Sequence, residues 1–371
     1  MKRATSKLAL RCALPSLAAL ALIAGMGCAD EGGSGAASED LEQTESGLTF
    51  TGLTLVNGWT NGPFSTRAAA SALSSGIVYL RGAIATTGTN PVPFTLPVGR
   101  RPSTDVYLPI NLCGATKGRL YVPPSGVVQV VAEGGAFSNA QCFTSLEGVS
   151  FAVSSAGFTP ISVVNGWTNA PFSTRNAAVI NIGDVIHLQG AIATSGTNPV
   201  PFTLPLGFAP STNAYLPVDL CGGTKGRIFI TLGGQATIVA ENGTFSNAQC
   251  FTSLEGVSYP LTPASGSGFT CLPLLNGWTG MPFSTRNPCV KNDLGVIRLL
   301  GAVATSSGTG AFIQLPTGMR PSADTYVEAD LFGGAQGRVL IQPSGFVFAQ
   351  SKGSFSQAQG FTSIEGVNFG L

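Results

Sequence analysis

The chain has 371 residues, and its 19 Lys and Arg against 18 Asp and Glu leave a formal net charge of +1. Charged residues are only 10% of the sequence and are thinly spread, which excludes the clustered basic footprint of a nucleic-acid-binding protein. A single histidine and the absence of any Cys-x-x-Cys spacing leave no zinc set, and no motif calls for a cofactor.

Lys2, Arg3, Lys7 and Arg11 precede an uncharged apolar run over residues 12–26. The run is too short to favour a spanning helix and is followed by small residues, so residues 1–28 read as a secretory signal. Residues 24–28, Ala-Gly-Met-Gly-Cys, resemble the lipobox of bacterial lipoproteins, which would make Cys28 a lipidated first residue. Gly25 stands where that motif usually has Leu, so ordinary cleavage after Gly27 or Ala29 is the alternative. Residues 29–48 hold six acidic residues, no basic one and almost nothing to bury, the composition of a disordered acidic Gly/Ser tether. The expected location is the bacterial outer membrane or cell surface, with the membrane touched by a lipid anchor only; secretion is the alternative.

The rest of the chain repeats itself. Asn-Gly-Trp-Thr begins at Asn57, Asn165 and Asn276. Pro-Phe-Ser-Thr-Arg then ends at Arg67, Arg175 and Arg286, Leu-Pro stands at Leu96, Leu204 and Leu315, and Gly-Arg closes on Arg119, Arg227 and Arg338. A period near 110 residues is domain-sized, not that of a solenoid. Repeats are placed at residues 49–153, 158–262 and 269–371, with Ser154 to Gly157 and Pro263 to Gly268 as boundaries. Within a repeat, short runs of alternating apolar and polar residues are cut by Gly, Pro, Ser and Asn. This argues an all-β fold of three tandem antiparallel β-sandwiches, jelly-roll-like, of about 105 residues each. Connections of ten residues or fewer leave two arrangements open, an intrachain pseudo-trimer or beads on a string.

Six cysteines remain beyond Cys12 and Cys28. Cys113 and Cys142 recur as Cys221 and Cys250, and both are replaced together in the third repeat, by Phe332 and Gly360. The third repeat instead gains Cys271 and Cys289, whose counterparts are Gly52 and Ala70, and Pro160 and Ala178. Residues that come and go in pairs behave as bonded partners, so disulfides Cys113–Cys142, Cys221–Cys250 and Cys271–Cys289 are expected in an oxidising compartment.

Catalytic residues are not found. His187 corresponds to Tyr79 and Arg298, which reads as a solvent-facing strand position, and no neighbour completes a Ser-His-Asp or Cys-His set. The acid shared by all repeats is a single Glu, at Glu147, Glu255 and Glu365, where a glycosidase needs two carboxylates. That Glu is expected to pair with a shared Arg: Arg67, Arg175 and Arg286, or Arg119, Arg227 and Arg338. Trp59, Trp167 and Trp278 read as core packing, with sugar stacking as the alternative. Residues for ligand contact are placed on polar, turn-rich loops: Thr89, Asn90, Asn139 and Gln141, and again Thr197, Asn198, Asn247 and Gln249. Turn geometry is the competing explanation for the same residues.

The order Asn57-Gly58-Trp59, Leu80 to Gly82, Leu96 to Pro102, Gly118-Arg119 and Leu146 to Phe151 resembles a module at the C-termini of phage tail fibres and receptor-binding proteins. The second repeat departs at Ala209, where the motif has Arg before Pro. The resemblance implies small β-sandwich heads that work as trimers and bind surface glycans or proteins, with no catalytic residues to carry over. The functional expectation is a non-enzymatic recognition or adhesion protein. A structural envelope or matrix protein is the alternative, and a secreted glycan hydrolase the third reading.

Overall fold

The computed structural model describes residues 47–261 and 268–371; the signal segment, Cys28, nearly all of the tether and most of the second boundary lie outside the described residues. The fold is all-β, built of antiparallel sheets. Each repeat lays down the same elements in the same order. In the first, Ala70–Ser74 and Ile77–Arg81 form a hairpin closed by Ser75 and Gly76, both at positive φ (48° and 78°), the backbone that a two-residue turn between twisted strands requires. Thr51–Gly52 and Ser150–Ala152 extend this hairpin on either edge.

Val106–Asn111, Lys117–Val122 and Gln129–Ala132 form a meander, and Trp59–Asn61, Ala83–Thr86 and Thr144–Ser145 form a third small sheet. In the third repeat the last two merge into one seven-stranded sheet, through the pairing of Thr325–Leu331 with Thr362–Ser363. Isolated bridges Leu112–Thr144 and Leu220–Thr252 mark the same junction in the first two.

Side chains alternate across the central strand, as the two-residue period dictates. Leu108, Ile110 and Leu112 enter a core drawn wholly from the first repeat; Leu216, Val218 and Leu220 enter that of the second; Val327, Ala329 and Leu331 that of the third. The alternate positions, Tyr107, Pro109 and Asn111 and their counterparts, are turned away from these cores. They meet the neighbouring repeats, and the described residues form one compact unit.

Two features differ from expectation. The segment placed on a loop is a six-residue helix, α1 Phe137–Cys142, repeated as α2 Phe245–Cys250 and α3 Phe355–Gly360. Its apolar Ala140, Ala248 or Ala358 is fully buried, which ties the short helix to the sheet. Tyr79, His187 and Arg298 do not face solvent: all three are buried, and Arg298 Nη2 donates to Tyr79 Oη across a repeat boundary at 3.0 Å. The face reads as exposed within one repeat because its cover comes from the others. A fourth apolar cluster, with Ile77, Tyr79, Val296, Phe158 and Ile182, is shared by all three repeats.

The tryptophans pack in the cores as expected, but repeat 3 departs from the other two in one detail. Trp59 and Trp167 are buried in the cores and donate from Nε1 to Asn90 O and Asn198 O at 2.9 Å. Trp278 is buried as deeply, but the loop beside it reads Thr-Gly-Ala in place of Thr-Asn-Pro, and its Nε1 has no acceptor among the described residues.

Candidate functional site

The shared Glu of each repeat is a clamp. Arg67 donates from Nε to Glu147 at 2.7 Å and from Nη2 at 2.8 Å, and Glu147 Oε1 also accepts from the Gly82 amide. Arg175 and Arg286 hold Glu255 and Glu365 in the same way, with Gly190 and Gly301 as the amide donors. Gly82 sits at φ 89°, and a Cβ there would lie 2.3 Å from Ala68 O, so only glycine fits against the Arg67–Ala68 backbone at this point. Arg175 and Arg286 each add a bond to the preceding repeat, to Ala152 O at 2.7 Å and Pro260 O at 2.8 Å. Replacing Glu255 by Gln is therefore expected to lower stability by about 3 kcal/mol, because a buried guanidinium loses its counter-charge; urea unfolding measures it.

Arg119, Arg227 and Arg338 do different work, at the boundaries between repeats. Arg119 donates to Asp219 and Leu220 O of the second repeat, and its guanidinium lies over the rings of Tyr107 and Phe251 at 4.9 and 5.3 Å. Arg227 repeats this toward the third repeat, with Asp330, Leu331 O, Tyr215 and Phe361. Arg338 repeats it toward the first, with Asn111, Leu112 O, Tyr326 and Phe143. Hydroxyl bonds follow the same cycle: Ser253 to Tyr107 O, Ser363 to Tyr215 O, and Ser145 to Tyr326 O.

A buried lysine reinforces two of these seams. Lys117 Nζ donates to Asp219 Oδ1 at 2.6 Å and to Thr224 O at 2.7 Å, and Lys225 Nζ lies 3.4 Å from Asp330 Oδ1. At the seam between repeats 3 and 1 both charges are gone, replaced by Gln336 and Asn111. There the Gln336 amide donates to Glu133 and accepts from the Lys117 backbone N–H at 3.2 Å.

The disulfides Cys113–Cys142 and Cys221–Cys250 tie the last residue of α1 and of α2 to the turn after the first meander strand, with Cα atoms 5.7 Å apart, and Cys271–Cys289 links directly opposed strand residues. Where the third repeat lacks the first kind, the Phe332 ring lies on Gly360, where a Cβ would come within 3.1 Å of it. Phe332, Phe283, Phe361, Tyr215 and Arg227 line a pocket of about 220 Å³ at the seam between repeats 2 and 3.

Of the loop residues expected to touch a ligand, Gln141 Nε2 donates to Gly88 O at 2.7 Å and Asn90 Oδ1 accepts from the Val92 amide at 3.0 Å, with Gln249 and Asn198 doing the same. These bonds bring helix and loop together, so Thr89, Asn90, Asn139 and Gln141 share one edge of the repeat, as do Thr197, Asn198, Asn247 and Gln249. Their amides are thus partly committed to turn geometry. The sequence reading passed over Phe64, Phe172 and Phe283, which are 60, 59 and 54% exposed and sit at φ 54°, 53° and 55°, followed in each case by a serine also at positive φ. A bulky residue in this region is a strained choice. The serine carbonyls accept amides of the preceding repeat, from Asp105, Asn213 and Asp324, so the strained turn is held by the seam. The threefold Pro-Phe-Ser motif was the available signal.

No family model matches the chain, and no curated protein or solved structure matches it.

Proposed function

We propose that the chain is an exported, non-enzymatic recognition or adhesion protein whose three β-sandwich repeats close on one another as an intrachain pseudo-trimer. It presents three copies of one contact edge to a surface glycan. The cyclic order of the seams supports the closed arrangement, since each repeat gives its arginine to the next and the third gives its arginine to the first. Three disulfides suit an oxidising, extracellular setting.

The observation that carries the recognition reading is the exposed phenylalanine held on left-handed backbone in every repeat. An aromatic face fixed in water at a conformational cost offers apolar contact to a sugar ring with little entropy left to lose. Three such edges bind a repeating ligand with avidity, so each alone need only be weak. A glycan array probed with the mature protein tests this. The wild type should bind, and Phe64→Ala/Phe172→Ala/Phe283→Ala, which removes side chains that are mostly exposed, should weaken binding by on the order of a hundredfold. Absence of any bound glycan by the wild type would leave the structural envelope protein as the better reading.

A further inference from the structure

The central strands of the three repeats converge. Tyr-Leu-Pro at Tyr107 and Tyr215 becomes Tyr326-Val327-Glu328 in the third, so Pro109 and Pro217 face a carboxylate where a threefold arrangement would have a third proline. These positions border a cavity of about 50 Å³ lined by all three repeats, including Leu108, Leu216 and Val327. Part of the Glu328 side chain borders the cavity, but both carboxylate oxygens are closed off from solvent and have no hydrogen-bond partner among the described residues.

The surrounding charges are engaged elsewhere. Lys117 and Lys225 spend their ammonium groups on Asp219, Asp330 and backbone carbonyls. Arg338, opposite Glu328 in the ladder, donates to Gln350 and Asn111. Glu147 and Glu365, which line the same cavity, are clamped by Arg67 and Arg286, while Asp219 and Glu133 add negative charge nearby.

We propose that Glu328 is a proton-operated latch: uncharged, it lets the three repeats close around the cavity, and ionised, it loosens the seam between repeats 3 and 1. That seam lacks a buried lysine–aspartate pair and has instead the partly exposed Lys352–Glu133 pair at 3.6 Å, which solvent screens, so it opposes a bare charge less than the other two. The inference rests on the closed arrangement of the repeats proposed above. Burial raises the Glu328 carboxyl from the ordinary range to about 7, with Lys225 and Lys117 opposing the shift. A carboxyl whose folded pKa lies above its unfolded value keeps its proton in the fold and releases it on unfolding. Stability therefore falls as pH rises from about 4.3 to about 7 and is flat above. His187 acts in the opposite direction, since burial and Arg298 lower it to about 3 and it must gain a proton on unfolding in acid.

The test compares the mature chain with Glu328→Gln and with Glu328→Pro, the residue of the other repeats, so that the His187 contribution cancels. The ratio of wild-type to Gln folding constants should fall by on the order of a hundredfold between pH 5 and pH 8. Once the base-catalysed acceleration common to all amides is divided out, the protection of the Lys117 and Asp324 amides, which bridge the seam, should fall over the same range in the wild type alone. Parallel pH profiles for wild type and variants overturn the latch. If Glu328→Gln does not fold, the Pro variant and the infrared band of a protonated carboxyl in the wild type decide, and absence of that band at pH 6 overturns it. Small-angle scattering at pH 6 separates the two ideas, because an extended chain there refutes closure itself, whereas a compact chain with parallel profiles refutes only the latch.

Discussion

Asp219→Ala is expected to lower the unfolding free energy by about 3–5 kcal/mol, because it strands two cations at once. Lys117 and Asp219 are almost wholly shielded, and Arg119 reaches the same carboxylate at 2.6 Å. A buried ion pair contributes little net stability over an apolar pair of the same shape, but removing one member leaves the desolvation of the other unopposed. The chain supplies its own control in the third seam, where the same two positions are neutral, Gln336 and Asn111. Lys117→Gln combined with Asp219→Asn should therefore cost less than Asp219→Asn alone, with a coupling of about 1–3 kcal/mol in a double-mutant cycle followed by urea unfolding. Additive losses would mean that the two side chains do not depend on one another and that the seam is held by something else.

The second large effect concerns the crosslinks. Replacing Cys113 and Cys142 by Ala should lower stability by about 3 kcal/mol, since the 29-residue loop they close no longer limits the unfolded chain. Cys113→Phe with Cys142→Gly should recover about 1 kcal/mol of that, by laying an aromatic ring on a glycine as Phe332 does on Gly360. Thermal unfolding of the three proteins, each with and without reductant, gives the comparison. A Phe/Gly variant no better than the Ala/Ala variant would show that Phe332 fills space without standing in for the covalent bond.

Both effects bear on what the sequence can tell. Cysteines that appear and vanish together mark a bond within one repeat, so the crosslinks were legible from the repetition; it also showed that the shared Glu has a shared Arg, but left Arg67 and Arg119 equally open as the partner. The lysine–aspartate pairs obey the same logic of joint replacement, yet their partners lie about a hundred residues apart in different repeats. Reading each repeat as a separate unit hid them. His187, Tyr79 and Arg298 were misread for the same reason, since an alternating strand records that one face is polar and does not record what covers it. Helix α1 was missed because six residues are too few to show a helical period.

Three like-built, β-rich units and their internal crosslinks follow from the amino-acid order, because alternation, turns and paired cysteines act between residues close in the chain or repeated at fixed spacing. Which faces meet, which charges are buried and where a lone carboxylate is shut in were decided by the folded arrangement. Those outcomes depend on groups from three distant stretches sharing one low-dielectric space, and no single stretch of sequence carries that information.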